Sequence, residues 1–304
     1  MNKHVIVVMS TYNGATNIER QLDSIINQVG VDVSILVRDD GSNDSTVNVL
    51  DKYKEMHPEC TIEIVQGTNE GYAKSFWDAI NGCPAADYYA FSDQDDVWKN
   101  DKLIKTIAPM ERDSYNGPKL AYCNMERSDT FLNPLDEQVK VLTPSELSKK
   151  LVLTQTFNYG AATVINEAAK KLMCRCWPNI VDLPHDMWIG LLCYWFGRIY
   201  YVNEKLYFWI RYQHSVTGAG TQKSGMKYRL KESMQKKSYP NVSVYLLKYY
   251  DDLLNDTDKI FLNKVAYYKT SILKRLSLLF DWSFSRKSIA GTLFLKMGVL
   301  FGWF

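Results

Sequence analysis

An α/β fold with a mainly parallel central sheet is the architecture this 304-residue sequence predicts. Short apolar runs alternate with helix-period stretches four times over roughly the first hundred residues. The first run, Val5–Met9, is apolar throughout, as expected of a strand buried on both faces. Polar clusters follow three of the runs directly.

In order, Val5–Met9 reads as a strand leading into a Thr11-Tyr12-Asn13-Gly14 loop. A helix is expected from about Thr16 to Gln28, with Ile18, Leu22, Ile25 and Ile26 as its apolar positions. Val33–Val37 is the second strand. It ends in an Asp39-Asp40-Gly41-Ser42 turn, and Ser42 or Asp44 can cap the helix over Thr46–Met56. Thr61–Gln66 is a third strand, Glu70–Asn81 a helix, and Tyr88–Ser92 a fourth strand. The middle is less regular. Strands are expected at Leu120–Asn124, Ala161–Ile165, Ile199–Val202 and Leu206–Ile210. Helices are expected near Ser145–Leu153, Asn166–Cys174 and His185–Phe196, with a loop at Pro134–Pro144. From about Gly225 the chain turns basic and helical, at Lys227–Lys237, Tyr245–Leu254 and Ile260–Phe280. The final stretch, Ser288–Phe304, is apolar apart from Lys296.

Composition narrows the class. At 46% apolar the chain supports a sizeable core and is not a disordered protein. The net charge of +2 hides an asymmetry: residues 225–304 hold 14 Lys/Arg against 6 Asp/Glu, and the remainder 22 against 28. A basic tail points to an anionic surface, membrane or nucleic acid. The six cysteines lack the spacing of a disulfide framework, and Cys174-x-Cys176 reads as ordinary thiols rather than a zinc site. The N-terminus reads as a strand rather than a signal peptide, and no run of 18 apolar residues suggests a spanning helix. A cytoplasmic protein is the expectation.

In a parallel α/β sheet, ligands bind beyond the carboxyl ends of the strands. Thr11-Tyr12-Asn13, Asp39-Asp40 and Asp93-Gln94-Asp95-Asp96 all fall at such ends and so should converge on one crevice. Asp93-x-Asp95 sets two carboxylates in a short turn, and Mg2+ or Mn2+ on a diphosphate uses one or two carboxylates. By spacing alone, the same residues also suit a solvated acidic loop or a helix N-terminus. Asp39-Asp40 also fits a plain Asp-Gly turn.

Together, Thr11-Tyr12-Asn13-Gly14, Gln21-Leu22-x-Ser24-Ile25, Asp39-Asp40-Gly41-Ser42-x-Asp44-x-Thr46, Asn69-x-Gly71 and Ser92-Asp93-Gln94-Asp95-Asp96-Val97-Trp98 resemble the donor-binding half of family 2 glycosyltransferases. With the later His185-Asp186-Met187-Trp188, the pattern is similar to the rhamnosyltransferase-like branch of bacterial surface-polysaccharide synthesis. The resemblance implies a GT-A fold over residues 1–220, with a nucleotide-binding half at 1–118 and an acceptor half at 119–220. Residues 221–304 are left as a helical tail. It also implies a nucleotide-sugar donor, a divalent metal and inversion at the anomeric carbon.

By that resemblance Thr11, Tyr12, Asn13, Asp39 and Asp40 border the nucleotide, as do Asn69, Gly71 and Lys74. Asp93 faces the ribose and diphosphate, Asp95 is the main metal ligand, and Asp96 shapes the loop or touches a substrate. Asp186 is implied as the general base, although by itself it reads as a helix cap after Pro184. His185, Trp188 and Arg211 are candidate acceptor or diphosphate contacts, although Trp188 by itself reads as a core aromatic. His214, in Arg211-Tyr212-Gln213-His214, resembles the family's Arg-x-His segment with one extra residue and is a second candidate metal ligand. The donor is dTDP-rhamnose or a UDP-hexose, and the acceptor a lipid-linked saccharide. Nucleic acid is not expected as a partner. Lysines mixed with Tyr, Leu, Phe and Trp suit a tail lying on the inner face of the membrane, or one packing on the body or a second subunit. Two other classes compete. A nucleotidyltransferase would want a basic Gly-rich loop after the first strand, which Thr11–Gly14 is not. A non-catalytic sugar-binding protein would not need both Asp95 and Asp186. Gly218-Ala219-Gly220 makes no dinucleotide or P-loop motif.

Overall fold

Val5–Met9 is buried because it runs through the middle of a sheet. In the computed structural model, β1 (Lys3–Thr11) lies between two parallel neighbours, β2 (Val31–Asp39) and β4 (Tyr88–Ser92). The structure describes residues 2–135, 139–178, 180, 183–210 and 238–303. Two compact units divide the chain.

The first unit comprises 1–145, 157–174 and 184–219. Among its described residues is one eight-stranded sheet of order β3-β2-β1-β4-β7-β6-β8-β5. The added strands are β3 (Thr61–Gln66), β5 (Val97–Trp98), β6 (Lys119–Ser128), β7 (Thr163–Asn166) and β8 (Arg198–Ile210). The run β3-β2-β1-β4 is parallel. β7 pairs antiparallel with both β4 and β6, β8 runs parallel to β6, and β5 pairs antiparallel with β8. The sheet is therefore mainly parallel, as expected, with antiparallel pairings at β7 and β5. The expected strands at 199–202 and 206–210 are one strand, whose pairing with β6 shifts register around Cys123, Asn124 and Glu126.

Helices cover the parallel part: α1 (Ile18–Ile26), α2 (Thr46–Met56) and α3 (Tyr72–Gly82). α1 buries Ile18, Gln21, Leu22 and Ile25, a stripe at helical spacing. Each buried aliphatic side chain of this kind contributes roughly 1.5–3 kcal/mol. α4 (Lys102–Glu111), unforeseen in the sequence, follows β5, and α6 (Glu167–Cys174) and α7 (His185–Phe196) flank β7 and β8 in the chain.

The second unit comprises 146–156, 175–183 and 220–304. It holds α5 (Lys149–Val152), α8 (Ser238–Tyr249), α9 (Asp256–Ala266), α10 (Ile272–Leu279) and α11 (Ile289–Phe301). The two short segments before residue 184 belong to it through charge. Lys149 pairs with Asp258 (2.5 Å), Lys150 with Asp281 (2.6 Å), Arg175 with Asp252 (2.7 Å) and Glu146 with Lys287 (2.6 Å). The expected helix over Ile260–Phe280 is two helices, because Ser271 opens α10 by accepting the Lys274 N–H. The expected basic helix at 227–237 lies outside the described residues. All six cysteines are free thiols.

Candidate active site

Three polar clusters meet because their strands are neighbours. Thr11 pairs in register with Asp39 across β1 and β2, and Met9 with Ser92 across β1 and β4. The residues after each strand therefore leave the sheet at one edge, side by side.

At the end of β2 every acidic oxygen is engaged. Asp39, almost fully buried, accepts from Thr11 Oγ1 (2.9 Å), Ser42 Oγ (2.5 Å) and the Ser42 N–H (2.8 Å). Asp40, equally buried, takes Arg38 Nη1 at 2.6 Å and the backbone N–H groups of Glu70 (3.1 Å) and Gly71 (2.9 Å). Arg38 also reaches Glu70 (3.2 Å) and Asp78 (3.3 Å). Asp40 thus fastens the Asn69–Gly71 loop to the β2 turn from inside. Gly71 sits at φ 86° as it enters α3, a conformation that suits glycine. Asn69 is exposed, and Lys74 pairs with Asp78 and, at 3.9 Å, with Glu70.

The loop after β1 is tied to both sides. Asn13, at φ 51°, donates its N–H to Ser42 Oγ (2.9 Å) and accepts the Asn43 N–H (2.8 Å). The Tyr12 N–H donates to Gln94 Oε1 (2.8 Å), and Gln94 Nε2 returns a bond to the Tyr12 carbonyl (3.1 Å). The Tyr12 ring stays exposed. A Cβ on residue 14 would clash with the Gln94 amide, so the close approach requires Gly14.

The acidic turn is braced from below by α1. The Gln21 amide, with no exposed surface, accepts from Ser92 Oγ (2.6 Å) and Trp98 Nε1 (3.2 Å) and donates to the Asp96 carbonyl. Ser24 Oγ accepts the Trp98 N–H (3.0 Å), and Gln28 holds the Lys99 carbonyl and the Leu103 N–H. The polar positions of the Gln21-x-x-Ser24 motif therefore position the turn.

Its carboxylates differ from those of β2. Asp93 opens to solvent at the mouth, yet sits in enough protein that desolvation, then the charges of Asp95 and Asp186, push it up to about 7. Asp96 is buried. It accepts the N–H of Ile210, at the end of β8, while Oδ2 has no hydrogen-bond partner among the described residues. Burial, then Asp93 and Asp95, hold its carboxyl well above the usual carboxylate range. Beneath it Lys102, wholly buried, places Nζ over the Trp98 ring at 3.4 Å, and burial pushes it down to about 8. Asp96 therefore shapes the turn from within.

Asp186 completes the cluster from α7. The N–H groups of Gly160 (3.0 Å) and Met187 (2.7 Å) hold its two oxygens apart, and Asn158 Nδ2 fixes its carbonyl (3.2 Å). Burial outweighs those bonds and pushes the carboxyl up to about 6. Its neighbours His185 and Trp188 lie in the core rather than on the crevice, contrary to the expected contacts. The His185 ring packs on Phe76 (3.9 Å between centroids) and Phe91 (4.8 Å), and burial pushes it down to about 3, so the ring is neutral. Trp188 is fully buried. Arg211 and His214 lie outside the described residues.

Among the described residues no three His, Cys, Asp or Glu side chains form a ready metal cage. The donor set still fits a hard divalent cation. It consists of carboxylate oxygens that raise the pKa of Asp93 and Asp96, and a diphosphate-bound ion draws its other ligands from phosphate and water.

The model of glycosyl transferase family 2 matches residues 6–172, more than half of the chain. This chain belongs to glycosyl transferase family 2. A dTDP-rhamnosyl transferase, RfbG, of Shigella flexneri is 42% identical over 103 residues, which are 33% of this chain and 35% of that protein. The putative teichuronic acid biosynthesis glycosyltransferase TuaG of Bacillus subtilis is 27% identical over 149 residues, 49% of this chain and 58% of its own length. The match thus spans about a third of the first relative and just over half of the second. Among solved structures, S. aureus TarS 1-349 with UDP-GlcNAc superposes with a TM-score of 0.58 at 17% identity, covering 93% of this chain and 77% of that one. The mannosyltransferase PcManGT of Pyrobaculum calidifontis, with GDP-Man and Mn2+, gives 0.54 at 15% identity, covering 100% and 81%. These likenesses establish the GT-A fold.

Sequence reasoning missed Arg38, Gln94 and Lys102. Arg38 directly follows the apolar run Ile35-Leu36-Val37, the one local sign of an internal task, whereas Lys102 follows the polar Lys99-Asn100-Asp101 and carries no such sign.

Proposed function

We propose that this chain is an inverting glycosyltransferase that moves a sugar from a nucleotide-diphosphate donor to a lipid-linked acceptor of a bacterial surface polysaccharide. The observation that carries the reading is the meeting of Asp186, on α7, with the acidic turn that ends β4: the Asp186 charge helps raise Asp93. A base and a cation-seeking turn in one crevice are what an inverting transfer requires.

In this reading Asp39, Thr11 and the exposed Tyr12 ring receive the nucleobase. Asp39 keeps acceptor capacity, since a carboxylate offers about four lone-pair sites. The loop at Asn69 and Gly71, shaped by Asp40 and Arg38, borders the nucleotide, and Asp93 faces the ribose and diphosphate. Asp95, with His214 of the later segment, would hold Mg2+ or Mn2+, which when bound neutralises charge on the departing diphosphate. Asp186 takes the proton from the acceptor hydroxyl as that oxygen attacks the anomeric carbon from the face opposite the leaving group. The two N–H groups on Asp186 fix its direction, and burial keeps it basic enough for that task.

RfbG makes dTDP-rhamnose the first donor to test, and the UDP-GlcNAc complex of TarS makes UDP-hexoses the second. The lipid-linked acceptor places the protein at the inner face of the membrane, in peripheral contact through its C-terminal helices. The deciding measurement is Asp186→Asn. Donor affinity should hold in a thermal-shift titration with Mn2+, while transfer falls by roughly 10²–10⁴-fold. Undiminished transfer by that variant removes the base assignment.

A further inference from the structure

The second unit ends in two helices that are firmly held on one side and bare on the other. Ser271 caps α10 through the Lys274 N–H, and Ser288 caps α11 through the Gly291 N–H. Lys296 Nζ stitches them together, donating to the carbonyls of Leu278 (2.6 Å) and Asp281 (2.7 Å). Leu278, Phe284, Leu295 and Val299 are buried and line one small cavity with Tyr239 and Tyr268. The pair is therefore an integral part of the unit.

The opposite faces are apolar as well. On α11 the exposed large apolar side chains are Ile289, Leu293, Met297, Leu300 and Phe301, a stripe at i, i+4, i+8, i+11 and i+12. On α10 and just beyond they are Ile272, Leu273, Leu276 and Phe280, again one stripe. Trp282, in the connection, is 80% exposed, and Ile289 is 82% exposed. Soluble monomers rarely leave so much large apolar surface in one place without a use for it.

Charge indicates the occupant. Residues 267–304 contain six Lys/Arg and one acid, Asp281. That acid is already paired with Lys150 at 2.6 Å. Lys269 is exposed and Lys274 and Arg275 partly so, while Lys287 pairs with Glu146 at 2.6 Å. A second copy of the same face would set basic residues against basic residues. An anionic lipid surface satisfies both the stripes and the charge. Neither helix can cross a bilayer: 13 residues of α11 rise about 20 Å against a hydrocarbon core of about 30 Å. No helix among the described residues is long and apolar enough to do so.

We propose that α10 and α11 form an interfacial anchor whose two apolar stripes lie in the plane of an anionic phospholipid membrane. The proposal rests on the membrane placement given above and assigns it to named side chains. Its test is sedimentation of the full chain with vesicles of phosphatidylcholine containing phosphatidylglycerol, against vesicles of phosphatidylcholine alone. Binding should favour the anionic vesicles and weaken in high salt. A Leu273→Glu/Trp282→Glu/Leu293→Glu variant should bind at least about tenfold more weakly. Lys269→Glu/Lys274→Glu should lose the preference for anionic lipid. Both variants should keep the wild-type circular dichroism and the wild-type rate of donor hydrolysis in vesicle-free buffer. Equal sedimentation of wild type and the triple variant overturns the anchor. So does a wild type that ignores vesicles but runs as a dimer which the triple variant dissociates. Donor turnover is scored separately: vesicle binding without it leaves the anchor standing and removes the enzyme reading.

Discussion

The acidic residues at the ends of β2 and β4 are near neighbours in space and opposite in circumstance. Asp39 and Asp40 are buried and answered by Thr11, Ser42, Arg38 and two backbone N–H groups. Asp93 feels the charges of Asp95 and Asp186, and Asp96 those of Asp93 and Asp95, with Lys102, lowered by burial to about 8, beneath them. The first pair sets the shape of two loops before any ligand arrives. The second gathers carboxylates that raise one another's pKa, a crowding that a divalent cation would relieve.

The largest expected effect lies on the β4 side. Asp95→Ala should lower metal-dependent turnover by on the order of 10³-fold. Turnover at the wild-type rate, measured across a Mn2+ titration, would place the metal elsewhere.

Asp40→Ala should behave in the reverse way. It leaves Arg38 buried with only Glu70 and Asp78 as anions, so unfolding in urea should show a loss of about 3 kcal/mol. The Mn2+ response of the folded fraction should persist. An unchanged midpoint would mean the two turns are less different than their contacts indicate.

The smallest effect is in pH. Asp93 is raised to about 7 and Asp186 to about 6, both from 3.8. Between those values the folded chain binds more protons than the unfolded one, so metal-free stability should fall as pH rises from about 4 to about 7. Saturating Mn2+ should therefore raise the melting temperature at pH 7.5 and much less at pH 5. Asp95→Ala should flatten that difference, and an equal gain at both pH values would contradict it.

Much of the donor side was legible, because β1, β2 and β4 are continuous apolar runs closed by polar residues, and a parallel sheet puts their ends together. The acceptor side was less so. α4 escaped notice because Pro109 lies inside it and because Lys102 and Thr106, both buried, blur its apolar period. β8 looked like two strands, since Asn203-Glu204-Lys205 interrupts its hydrophobic pattern while the backbone runs on. The roles of Asp40 and Gln94 depend on partners 30 or more positions away, which no local pattern records. His185 was misplaced for a related reason: the family resemblance suggested a ligand contact, whereas Phe76 and Phe91 pack on its ring.

The reciprocal bonds between Tyr12 and Gln94, with no room for a side chain at Gly14, make two loops from distant parts of the chain into a single tile. Such a tile is inherited whole. Grafting residues 11–14 from a relative that carries a side chain at position 14 would drive the Gln94 amide off the Tyr12 backbone. Exchanges that carry both loops together are the ones that leave the crevice intact.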